Sequence, residues 1–262
     1  MKSERLYTTQ LQAGLGLIEE TRILLDLWEP GMRSTELYQV ALNSGNFPNV
    51  SARRLRNIVG ECFTPRYLVD GEYPANVLKQ LHTRLSSQVF SQLLFLFTAR
   101  ANAILADFVK DVFWNKYAGG HDSISNQDAK QFVIDANQAG KTRKPWSEGT
   151  IKKVSSYLTG CCADFELLAS GRRNLRKIYQ YHADPVTIGF LAHDLHFSGL
   201  GDNAVLAHSD WQLFGLQKED VRDEFKRLSY RGFFIFQTAA DVVHIGWNYK
   251  NWKDFINVAT EG

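Results

Sequence analysis

Three cysteines in 262 residues are too few for a disulfide framework. The vicinal pair Cys161-Cys162 has the spacing of neither a zinc knuckle nor a redox Cys-x-x-Cys. With Cys62, these residues are expected as small buried hydrophobes in a reducing compartment. Prolines number only six, which permits long helices. No apolar run reaches the roughly 20 residues that a membrane-spanning helix needs. The most apolar stretch, between Arg84 and Arg100, is broken by Ser86, Ser87, Gln88, Ser91, Gln92 and Thr98 and reads as a buried helix. Nothing behind Met1-Lys2-Ser3-Glu4-Arg5 resembles a signal sequence or a lipidation motif, so a cytoplasmic protein with no membrane contact is expected. Low-complexity segments and internal repeats are also missing.

Large apolar side chains are what the chain does have. Hydrophobic residues make up 44 % and aromatics 13 %, against 22 % charged residues. That balance belongs to a globular protein whose core is built from bulky groups, arranged as one large domain or two smaller ones. The net charge of +2 is unevenly placed. Residues 141–177 carry nine basic side chains and three acidic ones (Glu148, Asp164 and Glu166), so this segment stands at +6 and the remainder at −4. A near-neutral chain with one strongly positive segment is suited to a polyanionic partner.

Apolar spacing predicts a helix over residues 9–28, ended by Glu29-Pro30-Gly31. A second starts at Ser34 and closes at Asn43-Ser44-Gly45, and a third starts at Ser51 after the turn Asn46-Phe47-Pro48-Asn49. Tyr73-Pro74 opens the longest helical pattern, which runs to about residue 114. The Gly119-Gly120 pair behind it is the expected boundary between an N-terminal helical domain (1–120) and a C-terminal domain (121–262). Further helices are predicted over 126–138, closed by Gly140, from Ser147 onward, and over 185–197 and 217–230. Residues 177–181 read as a strand, and 233–236 with 242–247 as a hairpin. The fold class expected is mainly α, a multi-helix protein with helix-turn-helix and winged-helix-like elements and two small β-hairpins.

Two helix starts are built alike. In Val50-Ser51-Ala52-Arg53-Arg54-Leu55 the serine is placed to cap the helix, with Val50 able to staple onto Leu55. Trp146, Ser147 and Ile151 repeat that relation. A helix read against a nucleic-acid groove needs such a fixed entry angle. Leu55, Ile58, Val59 and Cys62 form one apolar stripe with Arg53, Arg54, Arg56 and Asn57 opposite or beside it; Ile151, Val154 and Leu158 form another, with Lys152, Lys153 and Ser156 facing out. Each helix follows a shorter one across a Gly/Pro-containing turn, the outline of a helix-turn-helix at about 34–66 and again after Gly140. Behind the second, Ala169-Ser170-Gly171-Arg172-Arg173-Asn174 reads as a hairpin tip rising into Leu175-Arg176-Lys177-Ile178-Tyr179, a basic wing beside the helix. The candidate DNA-contacting residues are therefore Arg53, Arg54, Arg56, Arg143, Lys144, Lys152, Lys153, Arg172, Arg173, Arg176 and Lys177. The competing reading is two ordinary solvated helix faces. A further helix and hairpin at 217–247 share the outline, but Glu219, Asp220, Asp223 and Glu224 make the helix acidic, which fits core packing or protein contact better than DNA.

An enzyme reading has less behind it. His182, His193-Asp194, His196 and Asp210 resemble a metal-hydrolase series, yet their intervals are short for ligands drawn from separate helices, and His193 sits in the apolar stretch Ile188-Gly189-Phe190-Leu191-Ala192. Gly14-Leu15-Gly16 lacks the third glycine of a dinucleotide fingerprint, and no nucleophile elbow or phosphate loop is present. No catalytic residue, metal or cofactor is expected.

Tyr7-Thr8-Thr9-Gln10-Leu11, Leu24-Leu25-Asp26-Leu27-Trp28, Asn49-Val50-Ser51-Ala52-Arg53-Arg54-Leu55-Arg56-Asn57 and Pro65-Arg66-Tyr67-Leu68 resemble the BrxA family of bacterial BREX (bacteriophage exclusion) loci, and the similarity runs along the whole chain. That resemblance implies a mainly helical, non-enzymatic accessory protein of a defence system that also contains a DNA methyltransferase and large ATPase-type proteins. Its expected partners are double-stranded DNA and other BREX proteins. A likeness of the family to the antitermination factor NusB keeps an RNA-binding regulator open beside it, and a protein scaffold within the BREX complex is the third reading.

Overall fold

The computed structural model describes residues 5–171, 174–239 and 242–259. The fold is mainly α with two small antiparallel two-stranded sheets, as the sequence predicts. The chain divides into two compact units, Met1–His82 with Leu94–Tyr181 and Thr83–Leu93 with His182–Gly262. The Gly119-Gly120 pair lies inside the first of them. No single helix is long and apolar enough to cross a membrane, and residues 89–99, the most apolar run, are buried.

The first unit contains α1 (Ile18–Leu27), α2 (Ser34–Asn43), α3 (Ala52–Asn57), α4 (Thr64–Tyr67) and α5 (Tyr73–Leu81). It also takes the later part of α6 (Ser87–Ala101), then α7 (Ala103–Phe108), α8 (Trp114–Ala118), β1 (Ser123–Ser125), α9 (Asn126–Gln138), α10 (Glu148–Asp164) and β2 (Leu175–Lys177). Single π-helical stretches, Ile58–Phe63 and Val109–Phe113, join α3 to α4 and α7 to α8. Ser51 caps α3 by accepting the Arg54 N–H at 3.3 Å.

Two predicted helices are interrupted. The 9–28 pattern holds only a 3-10 turn at Gln10–Ala13 and then α1, because Gly14 is extended and Leu17 is left-handed (φ 52°) between them. This break fits the neighbourhood tightly: a Cβ on Gly16 would stand 2.7 Å from Asp164 Cβ, and one on Gly14 3.0 Å from Cys62 Sγ. The 73–114 pattern breaks at 82–86 and again at Asn102, where the chain bends by 114°. Asn102 takes extended backbone angles, its side chain donates to the Thr98 carbonyl at 2.8 Å, and its own carbonyl accepts the N–H groups of Leu105 and Ala106. An asparagine offering these local bonds competes with helix continuation.

The second unit holds α11 (Pro185–Phe197), α12 (Asp202–Leu206), a 3-10 turn at Ser209–Phe214, α13 (Lys218–Tyr230), the hairpin β3 (Phe234–Ala239) and β4 (Val242–Trp247), and α14 (Trp252–Ala259). Buried Gln92 organises the start of α11, donating to the His182 carbonyl at 2.8 Å and accepting from Asp184 N–H and the Thr187 hydroxyl at 2.9 and 2.7 Å. His193 is wholly buried among the rings of Phe197, Phe234, Trp247, Tyr249 and Phe255, with Nδ1 2.7 Å from the Gly189 carbonyl.

Candidate nucleic-acid interface

Ile124 in β1 is fully buried, and the next residue, Ser125, begins α9 with a reciprocal cap: its hydroxyl accepts the Asp128 N–H at 3.1 Å and its own N–H donates to the Asp128 carboxylate at 2.8 Å. Burial raises the Asp128 pKa, but the hydrogen bonds from Lys116 and Ser125 outweigh it and hold the carboxyl below its usual range. Ala129, Val133 and Ala136 bury one face of α9. The loop to α10 is tied back by Asn137, whose Oδ1 accepts from the Trp146 N–H at 2.8 Å and the Thr142 hydroxyl at 3.0 Å. Tyr7 braces the same loop, donating its N–H to the Lys141 carbonyl at 2.7 Å and its hydroxyl to Asp107 at 2.5 Å.

Ser147 caps α10 through the Thr150 N–H at 3.3 Å, as its position beside Trp146 predicts. Ile151, Val154, Ser155, Leu158, Cys161 and Cys162 face inward, whereas Glu148, Gly149, Lys152, Lys153 and Ser156 are exposed. Burial pushes the Cys161 thiol up to about 12 and the Cys162 thiol well above its usual value, so both remain protonated packing groups.

The strand segments behind α10 pair in a way that the sequence did not show. β2 lies between two neighbours. On one side β1 pairs antiparallel with it, Ser123 opposite Lys177, Ile124 opposite Arg176 and Ser125 opposite Leu175. On the other, Leu168 bridges Ile178, the Ala169 N–H donates to the Lys177 carbonyl at 2.8 Å, and the Tyr179 N–H donates to the Leu167 carbonyl at 3.0 Å. Only Lys177 of the predicted strand at 177–181 lies in β2, which starts two residues earlier and gives way to a single bridge at Ile178, and the main partner of β2 is β1, too short at three residues to give an alternation signal. The order along the chain is α8, β1, α9, α10, Leu167–Ala169 and β2, with β2 between the other two.

The basic residues divide by environment. Arg143 and Lys144 in the loop, Lys152 and Lys153 on α10, and Lys177 on β2 are exposed, and none has an ion-pair partner among the described residues. Arg176 is half-buried and donates Nη1 to the Ala169 carbonyl at 2.8 Å, bracing the two strands. On α3, Arg53 is exposed and Arg56 stacks over the Tyr38 ring at 5.1 Å, while Arg54 is half-buried and donates to the Ala13 carbonyl. Arg172 and Arg173 lie outside the described residues. One arginine that the sequence reading left unassigned is central to the packing: buried Arg66 donates to the carbonyls of Gly14 at 2.6 Å and Leu15 at 2.8 Å.

The histidines weighed as metal ligands do not converge: no group of three or more His, Cys, Asp or Glu disposed for a metal ion occurs among the described residues. His196 stacks on Trp247 at 4.1 Å, and His193 is core.

The sequence profile of the BrxA family matches residues 5–194. A comparison with curated proteins gives no match. Among solved structures, the crystal structure of an uncharacterized protein from Magnetospirillum magneticum is similar with a TM-score of 0.58 at 15 % identity, over 73 % of this chain and 94 % of that one. At that identity the likeness concerns the fold alone.

Proposed function

Since the chain belongs to the BrxA family, a component of BREX defence systems, we propose that it serves such a system as an accessory protein that binds duplex DNA and has no catalytic centre of its own. The observation that carries this reading is the exposed face of α10. Lys152 and Lys153 stand there without ion-pair partners among the described residues, on the second of two helices, α9 and α10, that pack against each other, and exposed Lys177 lies on the strand that pairs with β1 just ahead of α9. Helix, strand, two helices, an extended segment and a last strand that lies between the other two is the order of a winged helix. In that arrangement the second helix of the pair enters the major groove and the wing follows the backbone. We assign Lys152 and Lys153 to the groove, Arg143 and Lys144 to flanking phosphates, and Lys177 with Arg172 and Arg173 to the wing. Arg53 is available for a separate contact, whereas the bonds of Arg54 and Arg176 within the protein give them supporting roles.

The test is a mobility-shift or anisotropy titration on a duplex of about 40 base pairs at several salt concentrations, with a Lys152→Glu/Lys153→Glu double variant beside the unaltered protein. Binding that weakens linearly in log salt through counterion release, and is lost in the folded variant, supports the reading. Absence of binding at low salt overturns it. Displacement by single-stranded RNA in preference to duplex DNA would point to a NusB-like regulator, and a complex with other BREX proteins that needs no nucleic acid would point to a scaffold.

A further inference from the structure

We propose that the outer edge of β3 is an interface with a second copy of this chain. The two β3 strands pair antiparallel about a two-fold axis and join two hairpins into one four-stranded sheet.

The sheet of the second unit consists of β3 and β4 alone, so each strand has one edge that no strand covers. The two edges differ. In an antiparallel ladder the residues of a facing pair point their backbone groups either at each other or both away. The Ile245 N–H points away from β3, since it donates to Asp202 Oδ2 at 2.9 Å, and the Trp247 indole N–H donates to Oδ1 of the same carboxylate at 3.3 Å. The start of α12 thereby closes the edge of β4. Ile245 faces Phe236, so the N–H and C=O of Phe236 also point outward, and two residues on so do those of Thr238. Neither residue's backbone finds a partner on that side among the described residues. The edge of β3 is open.

Proteins protect open edges with a lysine, a proline or a bulge. The six residues of β3, Phe-Ile-Phe-Gln-Thr-Ala, include no charge and no proline, and their pairing with β4 runs without a bulge. Ile235 is 57 % exposed, and Gln237, Thr238 and Ala239 are exposed with it. A two-fold contact sets a strand against its own sequence, where any charge would tend to meet its like. β3 is free of that conflict, which is what selects a second copy as the occupant. Pairing centred on Phe236 sets Phe236 opposite Phe236 and makes the two Ile235 side chains diagonal neighbours, about 7–8 Å apart across the seam. One pair of six-residue strands lies at or below the roughly 1,200 Å² of the smallest stable complexes, so association is expected to be weak and concentration-dependent.

The experiment is sedimentation velocity on the full chain from about 5 to about 500 μM, with three variants beside the unaltered protein. Thr238→Pro removes an outward N–H that the hairpin does not use, and Ile235→Lys sets two like charges near each other at the seam. Val242→Lys alters the same exposed face of the hairpin but on β4, away from the seam, where Val242 is 68 % exposed opposite Ala239. The mass is expected to rise toward twice that of one chain for the unaltered protein and Val242→Lys, with dissociation at least tenfold easier in the other two. Amide exchange is the second measurement. Protection of Phe236 and Thr238 is expected to grow with concentration, while that of Gln237, whose N–H faces β4, stays constant. A monomer throughout overturns the proposal and leaves the edge to a strand of another protein. A dimer indifferent to both Thr238→Pro and Ile235→Lys overturns it as well, by placing the contact elsewhere. Should Thr238→Pro loosen the hairpin, Ile235→Lys and the amide exchange decide.

Discussion

The carboxylate of Asp164 accepts the backbone N–H of Gly16 at 2.9 Å, so the last residue of α10 is fastened to the segment that follows the first turn of the chain. An acid at a helix C-terminus opposes the helix dipole, and its presence there is explained by this bond. Asp164→Ala leaves a buried N–H without its acceptor and is expected to destabilise by about 1–3 kcal/mol. Gly16→Ala, which forces a Cβ to 2.7 Å from Asp164 Cβ, is expected to cost about 1–3 kcal/mol by displacing the same contact. Urea midpoints of the two single variants and the double variant check this. Because both act on one contact, the double variant should lose less than the two losses added together.

Arg66 holds the other side of that segment. Its guanidinium, 4 % exposed, donates to the carbonyls of Gly14 and Leu15, and its neighbour Arg54 takes that of Ala13. A planar fork satisfies several carbonyls at once, which a lysine ammonium at the end of a flexible stem does not. Arg66→Met is expected to cost about 2–4 kcal/mol through carbonyls left unbonded, and Arg66→Lys to recover only part of it. Equal unfolding midpoints for Arg66→Met and the unaltered protein would refute the clamp.

These contacts also explain what the sequence could and could not disclose. The caps at Ser51 and Ser147 were legible because a capping hydroxyl acts within three residues. The break at Gly14–Leu17 was not, since its partners, Arg66 and Asp164, are 50 or more positions away along the chain. Local apolar spacing reads through such a break as a continuous helix. The same limit hid β1, whose three residues show their pairing only once Leu175–Lys177 lies beside them. Counting lysines and arginines marks a positive segment but does not tell Arg176, which braces the strand pair, from Lys177, which faces out.

His193 makes the second unit sensitive to acid. Burial lowers its pKa from 6.5 to about 4, so the folded protein keeps it neutral where the unfolded chain already binds a proton. Between pH 6.5 and about 4 the unfolded state therefore holds more protons, and stability falls as pH drops through that window, by about 3 kcal/mol in all. The contribution is fully present above pH 6.5 and levels off below about 4. Replacement by a ring that cannot titrate, His193→Phe, is expected to lower stability at neutral pH and to flatten this part of the pH profile. Urea midpoints taken at intervals from pH 7.5 to 4 for both proteins measure the difference, and parallel profiles would show that His193 is not the group responsible.

Arg176 and Lys177 are adjacent basic residues with opposite expected behaviour. Arg176→Ala removes the Nη1 bond to the Ala169 carbonyl, leaving a carbonyl between two strands without that donor, and is expected to destabilise by about 1–3 kcal/mol. Lys177→Ala removes an exposed ammonium with no ion-pair partner among the described residues, so stability should stay within about 0.5 kcal/mol. On duplex DNA the order reverses in kind. Lys177→Ala is expected to lower the slope of log affinity against log salt by about one, the signature of a single lost phosphate contact. Arg176→Ala, assayed under conditions where it is fully folded, is expected to leave that slope unchanged and to weaken binding only as far as β2 loses its bond to the Ala169 carbonyl. A lowered slope for Arg176→Ala with an unchanged one for Lys177→Ala would mean that the strand presents its other face to the duplex.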